Sequence, residues 1–273
     1  MIRVMRTSFH GMLLSALWFL GLTAQAQEHN AKIVVIAHRG NHESAHENTL
    51  EAIRDAIAIK ADFVELDIRR TKDGRHILMH DRTVKRMTGV DAKVNELTLL
   101  EIQALKVSDA ARPTVPTSRV PTFEEALDTI GSSIGLYLDF KDGDPQFLAA
   151  ELRKRHQIKT TVVYLGTDEI PAWKKAEPSI KFIVSVPGKK LTVEGLNAFL
   201  TEYPEIILDG PITDYTKGLV KTAHVRGSLV WPDIQNAGEN PDQWSKALEL
   251  GVDGLQTDHP SQLIACLLKL GRH

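Results

Sequence analysis

The feature that most narrows the folds open to this chain is an alternation. Apolar runs of strand length occur at KIVVIA (32–37), FVELDI (63–68), RHILMH (75–80), GLYLDFK (135–141), TVVYLG (161–166), KFIVSV (181–186), EIILDG (205–210), GSLVWP (227–232) and DGLQTD (253–258). Between most of them lie longer segments whose apolar residues recur at three- and four-residue spacing, the mark of an amphipathic helix. Helices are predicted over 49–60, 121–130, 145–156, 169–176, 192–202, 213–223, 238–250 and 260–270. Asn48 is the expected N-cap of the first, with Glu51 as its capping-box partner. Alternation of this kind sets strands parallel, joined by helical crossovers.

Nine runs are one too many for an eight-fold barrel. The exception is RHILMH, joined to FVELDIRRTK by Asp73-Gly74 with no room for a helix. Asp-Gly between two apolar runs is a strong signal for a two-residue type I′ turn, so RHILMH returns along its predecessor. The remaining eight fit an α/β fold, a (β/α)8 TIM barrel of about 250 residues, with an extra β-hairpin arm after the second barrel strand. A doubly wound open sheet is the competing reading. The absence of a glycine-rich fingerprint after the first strand weighs against it. The stretch 106–120, with two prolines and no periodicity, reads as a surface loop.

The N-terminus follows a different logic. Arg3 and Arg6 precede the apolar LLSALWFLGL (13–22), too short to span a bilayer, and Ala24-Gln25-Ala26 supplies a small-x-small cleavage pattern. A signal peptide over 1–26 is expected, followed by one domain over 27–273 in the periplasm or outside the cell. With Cys266 as the single cysteine, no internal disulfide is expected, nor a lipid anchor after cleavage. A formal charge of −2 with no basic run gives no reason to expect a nucleic-acid partner.

The chemistry-bearing residues gather at strand ends. A two-residue loop at Asp73-Gly74 would set Asp67 opposite His80 and Glu65 opposite Arg82. Glu65, Asp67 and His80 would then share one face. Carboxylates that close repel unless a cation joins them. In GLYLDFK, Asp139 and Lys141 alternate with Leu138 and Phe140, so both are expected in the barrel mouth. Three oxygen ligands without cysteine point to one hard divalent cation, Ca²⁺ or Mg²⁺, although His80 keeps zinc open. His38-Arg39-Gly40 ends the first strand, at the rim where such barrels do chemistry. His38 is a candidate acid or base, Arg39 can clamp an anion, and Gly40 lets the backbone turn. Together these groups suit a phosphodiester substrate.

The order of these motifs resembles the glycerophosphodiester phosphodiesterase family. The matching residues are His38-Arg39-Gly40, Glu47-Asn48-Thr49, Glu65-x-Asp67, Thr71-Lys72-Asp73-Gly74, His80-Asp81, 121–127 (PTFEEAL), Asp139-x-Lys141, 251–254 (GVDG) and Thr257-Asp258. The resemblance implies a TIM barrel with one divalent ion held by Glu65, Asp67 and Asp139, an acid–base pair in His38 and His80, and phosphate contacts from Arg39 and Lys141. It also implies attack by the glycerol hydroxyl beside the phosphate, a cyclic phosphodiester, and release of glycerol 3-phosphate and an alcohol. Asp139 stands where the family usually has Glu, and His46 where it usually has Pro. With His42, these departures leave room for lysophospholipid, phosphoinositol or sugar-phosphate diesters. A non-catalytic barrel binding a phosphorylated ligand is the reading of another class; both histidines and all three carboxylates argue against it. His42 and His46 are expected on the exposed rim, Glu47 as a loop-ordering group, Asp81 as a turn residue and Asp258 as the cap of the last helix. Trp231 is either a wall for the glycerol or core.

Overall fold

The structure, a computed structural model, describes residues 31–273 apart from 111 and 237; the expected signal peptide lies outside the described residues. Parallel strands β1 (Val34–Ala37), β2 (Phe63–Arg70), β4 (Gly135–Phe140), β5 (Thr161–Tyr164), β6 (Lys181–Ser185), β7 (Ile207–Asp209) and β8 (Gly254–Thr257) form one curled sheet in the order β7-β6-β5-β4-β2-β1-β8. Strand β3 (His76–Leu78) lies off this path and pairs antiparallel with β2.

The predicted strand over 227–232 is present as a seam rather than a regular ladder. Leu208 N–H donates to Leu229 C=O and Trp231 N–H to Leu208 C=O on one side; Gln256 N–H donates to Pro232 C=O and Ile234 N–H to Gln256 C=O on the other. The segment therefore links β7 to β8 and closes the ring, through isolated bridges at Val230 and Asp233. Pro232 has no N–H to give, which is why the ladder there is broken.

The outer layer contains α1 (Leu50–Ala58), α4 (Phe123–Ile130), α5 (Pro145–Lys154), α6 (Ile170–Ala176), α7 (Val193–Glu202), α8 (Lys217–Val225), α9 (Pro241–Leu250) and α10 (Pro260–Lys269), with short α2 (Lys85–Thr88) and α3 (Leu99–Gln103) in the β3–α4 segment. Local chemistry fixes their starts: Thr122 and Glu125 form a reciprocal capping box on α4, and Asp144 and Asn240 cap helices that begin with Pro at the first turn. The cap of α1 differs from expectation. Thr49, not Asn48, accepts from Ala52 N–H, and Asn48 is left-handed at φ 55°.

Strand residues of one parity, such as Leu66, Leu138 and Val163, pack outward on Ile53, Phe123, Leu148, Trp173 and Phe199 of the helices. Residues of the other parity face inward, and Ile36, Tyr137, Val162, Ile183, Ile207 and Trp231 make the barrel's inner core. The segment after β3 has a core of its own, with Ile77, Met79, Val84, Met87, Val94, Ile102, Val107 and Val120 buried together. The predicted surface loop over 106–120 is thus anchored at both ends, where Val107 and Ser118 bridge. The chain ends of the described region meet: Ile33 N–H donates to Arg272 C=O at 2.8 Å.

The β2–β3 connection corrects the expected register. Ile68 opposes Leu78 and Arg70 opposes His76. Thr71 N–H donates to Arg75 C=O at 2.8 Å, and Arg75 N–H to Thr71 Oγ1 at 2.9 Å, leaving Lys72-Asp73-Gly74 as a three-residue loop. Gly74, at φ 78°, takes the left-handed position that ends such loops. Asp73 is held by the Thr71 hydroxyl at 2.6 Å and by Leu99 N–H at 3.0 Å, so the turn is tied to α3. Asp67 therefore faces Met79, whose N–H donates to Asp67 C=O, and His80 lies beyond the paired strand.

Candidate active site

Inward positions change character along each strand. Towards the C-terminal end, apolar Ile36, Phe63, Tyr137, Ile207 and Trp231 give way two residues later to His38, Glu65, Asp139, Asp209 and Asp233. The period of two that builds the inner core thus delivers polar groups to one mouth. A cavity of about 310 Å³ there is lined by His38, Arg39, Glu65, Asp67, His80, Asp139 and Lys141, and by Tyr137, Tyr164, Asp209, Asp233, Gln235 and Gln256.

The two histidines share one arrangement. His38 Nδ1–H donates to Asp258 Oδ1 at 2.7 Å, and His80 Nδ1–H to Asp81 Oδ1 at 2.9 Å. A carboxylate on Nδ1 fixes the ring and selects the tautomer whose Nε2 is free to take a proton. Asp258 also accepts from His42 Nε2 at 3.1 Å. These hydrogen bonds outweigh burial, which acts the other way, and hold its carboxyl well below the usual range.

Asp258 is therefore part of the site. The expectation that it caps α10 is corrected, since His259 holds that position and makes no side-chain cap bond. His42 does lie at the rim, but His46 is buried, 1 % exposed, with its pKa lowered by burial and then by the Arg112 charge.

Arg39 sits at φ 52° on the sharp turn after β1, its N–H donating to Glu65 Oε2 at 2.7 Å and its Nη1 to Glu47 Oε1 at 2.9 Å. Its Nε is buried without a hydrogen-bond partner, 3.6 Å from Asp67 Oδ2. Gly40 is required in this turn: its φ is 87°, and an added Cβ would lie 2.6 Å from Ala52 Cβ. Asn48 closes the loop from the other end. Its Nδ2 donates to Asp67 Oδ2 at 2.7 Å and its Oδ1 accepts from Asp67 N–H at 3.1 Å. Arg86 joins the two halves of the site, holding Glu47 through both Nη atoms at 2.8 Å and Asp81 through Nε at 2.8 Å.

Glu65, Asp67 and Asp139 come together as expected, each offering an oxygen within 4.8 Å of the others. Asp67 and Asp139 are direct partners across β2 and β4. Burial, then repulsion from Asp67 and Asp139, pushes the Glu65 carboxyl well above the usual range. Burial and then Asp67 push Asp139 up to about 6, against the pull of Lys141. An all-oxygen, mutually repelling set of this kind suits a hard divalent cation. Lys141 lies beside it, ion-paired to Asp139 and 3.2 Å from Asp67 Oδ1.

Trp231 is the expected site residue that the structure does not bring to the mouth. It is 4 % exposed, packs in the inner core with its ring centroid 5.1 Å from that of Phe63, and does not line the cavity. Its expectation as a substrate wall is corrected, because its inward position lies one step below Asp233. Sequence reasoning does not bring Asn48, Arg86, Asp209, Asp233 or Asp258 to the site, where the structure places them. The period-two pattern leading to Asp209 and Asp233 is legible in the sequence; the reach of Arg86 to Glu47, 39 residues back, is not.

A (β/α)8 barrel that gathers imidazoles, cationic side chains and a carboxylate trio at its C-terminal mouth is a hydrolase of phosphoric diesters in architecture and in site. The model of the glycerophosphoryl diester phosphodiesterase family matches residues 38–262, and the chain belongs to that family. It is 29 % identical over 257 residues to a glycerophosphodiester phosphodiesterase of Caldanaerobacter subterraneus, covering 88 % of this chain and all of that protein. Among solved structures, a glycerophosphodiester phosphodiesterase from Agrobacterium tumefaciens aligns with TM-score 0.73 at 21 % identity, covering 86 % of this chain and 99 % of that one. An Oleispira antarctica phosphodiesterase in complex with the product sn-glycerol-3-phosphate aligns with TM-score 0.74 at 20 % identity, over 85 % and 96 % of the two chains.

Proposed function

We propose that the protein hydrolyses glycerophosphodiesters to glycerol 3-phosphate and an alcohol, with His38 and His80 as the acid–base pair and one divalent cation, Ca²⁺ or Mg²⁺, at Glu65, Asp67 and Asp139. The observation that carries the reading is the pair of imidazoles: each is tied through Nδ1 to a carboxylate, and both line a single cavity that also holds Arg39 and Lys141.

The bound cation supplies positive charge to the phosphate oxygens. Arg39 and Lys141 add to that charge, and Arg39 Nε is a buried donor without a partner, suited to a phosphate oxygen. Glycerol lies where Asp209 Oδ1, Gln235 Oε1 and Gln256 Oε1 line the cavity as buried acceptors without donors. One imidazole takes the proton of the glycerol hydroxyl as it attacks phosphorus; the other gives a proton to the departing alkoxide. A cyclic phosphodiester results. The rings then exchange roles as water opens it. Asp258 and Asp81 keep each ring in place throughout.

Purified protein with Ca²⁺ or Mg²⁺ is expected to release choline and glycerol 3-phosphate from glycerophosphocholine, and excess chelator to stop it. His38→Ala and His80→Ala should each lower kcat by about 10³-fold or more. Failure to turn over any glycerophosphodiester with either metal would overturn the reading. We further propose export through the 1–26 segment; the mature N-terminus, sequenced from fractionated cells, is expected at residue 27.

A further inference from the structure

A second concavity, about 1170 Å³, opens beside the mouth. It is built from the β2–β3 turn, the segment after β3 and the loop after β4, and its lining carries Arg69, Arg70, Lys72, Arg82, Lys93 and Lys141 against two carboxylates, Asp73 and Asp142. In a chain whose formal charge is −2, this is a concentration of positive charge at one place.

Both carboxylates are engaged in structure. Asp73 accepts from Thr71 and Leu99, and Asp142 from Arg70 N–H at 2.7 Å and Arg69 Nη1 at 3.1 Å. The side chains of Arg70, Lys72 and Arg82 are exposed and form no ion pair among the described residues. The groove is also continuous with the site. Lys141 lines both concavities, and Arg69, in the groove wall, donates to His80 C=O at 2.9 and 2.7 Å. The unpaired acceptors of Asp209, Gln235 and Gln256 line the mouth cavity and not the groove. Lys141, shared by the two concavities, would give a diester whose glycerol meets those acceptors a cationic outlet into the groove for its other ester arm.

We propose that this groove binds an anionic leaving group, so that the preferred substrates are glycerophosphodiesters whose departing alcohol carries a further phosphate. The inference rests on the reaction proposed above and specifies its substrate class. Phosphate oxygens reaching Arg70, Lys72 and Arg82 would meet donors that no ion pair among the described residues occupies. An uncharged alcohol would leave them in water and gain nothing from them.

The test compares glycerophosphoglycerol with bis(glycerophospho)glycerol, in which the same alcohol bears a second phosphodiester. The wild type is expected to show kcat/KM about tenfold higher for the second, and the Arg70→Gln, Lys72→Gln, Arg82→Gln triple variant to lose that advantage while keeping its rate on the first within about twofold. Rising sodium chloride should erode the advantage in the wild type alone. In excess chelator, calorimetric titration with bis(glycerophospho)glycerol should show about tenfold weaker binding to the variant. That difference without turnover of either diester would support the groove and sink the proposed reaction. Turnover of glycerophosphoglycerol with no preference and no binding difference would sink the groove and spare the reaction. Loss of association with anionic lipid vesicles in the variant, again with no preference between diesters, would reassign the groove to a membrane surface and overturn the inference.

Discussion

Asp258 serves two imidazoles through one oxygen, which makes it the most exposed point of the site to mutation. Asp258→Asn would keep size and shape but replace a full negative charge with a dipole, weakening the bias that keeps the His38 proton on Nδ1. Such partners commonly contribute 10–100-fold, so kcat for glycerophosphocholine is expected to fall by about 10²-fold while the circular dichroism spectrum stays unchanged. Trp231 gives the converse case. Buried in the inner core, Trp231→Phe should cost stability, about 1–3 kcal/mol by urea denaturation, and leave KM within twofold. A KM that rises with stability intact would return Trp231 to the substrate wall.

At the scale of elements, the site is shared between the loop after β1 and the segment after β3, and Arg86 is the link. Burial alone would raise the Glu47 carboxyl, but Arg86 and Arg39 outweigh it and bring it to about 2. A folded value below the unfolded one contributes stability that is full above about 4.5 and lost as pH falls towards 2. Arg86→Lys keeps the charge but cannot hold Glu47 and Asp81 together, so kcat/KM is expected to drop about tenfold, and the acid unfolding midpoint to move to higher pH. The same elements show what a sequence can and cannot disclose. The start of α5 at residue 145 is legible in the spacing, whereas α4 and α9 begin two and three residues later than the spacing suggests, because Thr122 and Asn240 hold the cap positions. The β2–β3 register is not legible, because the Thr71 hydroxyl and a bond from Leu99, 26 residues away, add one residue to the turn. His80 still reached the mouth, carried there by the irregular stretch after Leu78 and the grip of Arg69 on its carbonyl.

For the whole molecule, the carboxylate trio ties stability to pH and to cations. Asp139 and Glu65 have folded pKa values raised above their unfolded ones, so folding takes up protons. Without a cation, stability should therefore decline as pH rises from near 4 through about 6, the window set by Asp139. Millimolar Ca²⁺ or Mg²⁺ is expected to raise Tm by several degrees at pH 7 and by much less at pH 4.5, measured by differential scanning fluorimetry. A shift of equal size at both values would argue that the cation binds elsewhere. The barrel itself was readable from the alternation because each βα unit buries its own repeating face. The seam at Val230–Asp233 overlaps a run, 227–232, whose apolar pattern is that of an ordinary strand, since Pro232's missing donor matters only once its two neighbours are known. The core formed by Ile77, Met79 and Val120 is not legible in the sequence, because its members are scattered over a stretch with no period.

Strand β1 pairs with β8, Val34 beside Gly254 and Ala37 beside Thr257. As the polypeptide emerges from its N-terminal side onward, β1 must wait with one hydrogen-bonding edge bare until β8, 220 residues later (Val34 to Gly254), has followed. Ring closure is thus a late, long-range event, and the half-built sheet is the species that chaperones would meet. Because Ile33 and Arg272 already touch, a rearranged gene that begins at a helix and links Arg272 to Ile33 would let β8 and β1 emerge together and pair at once.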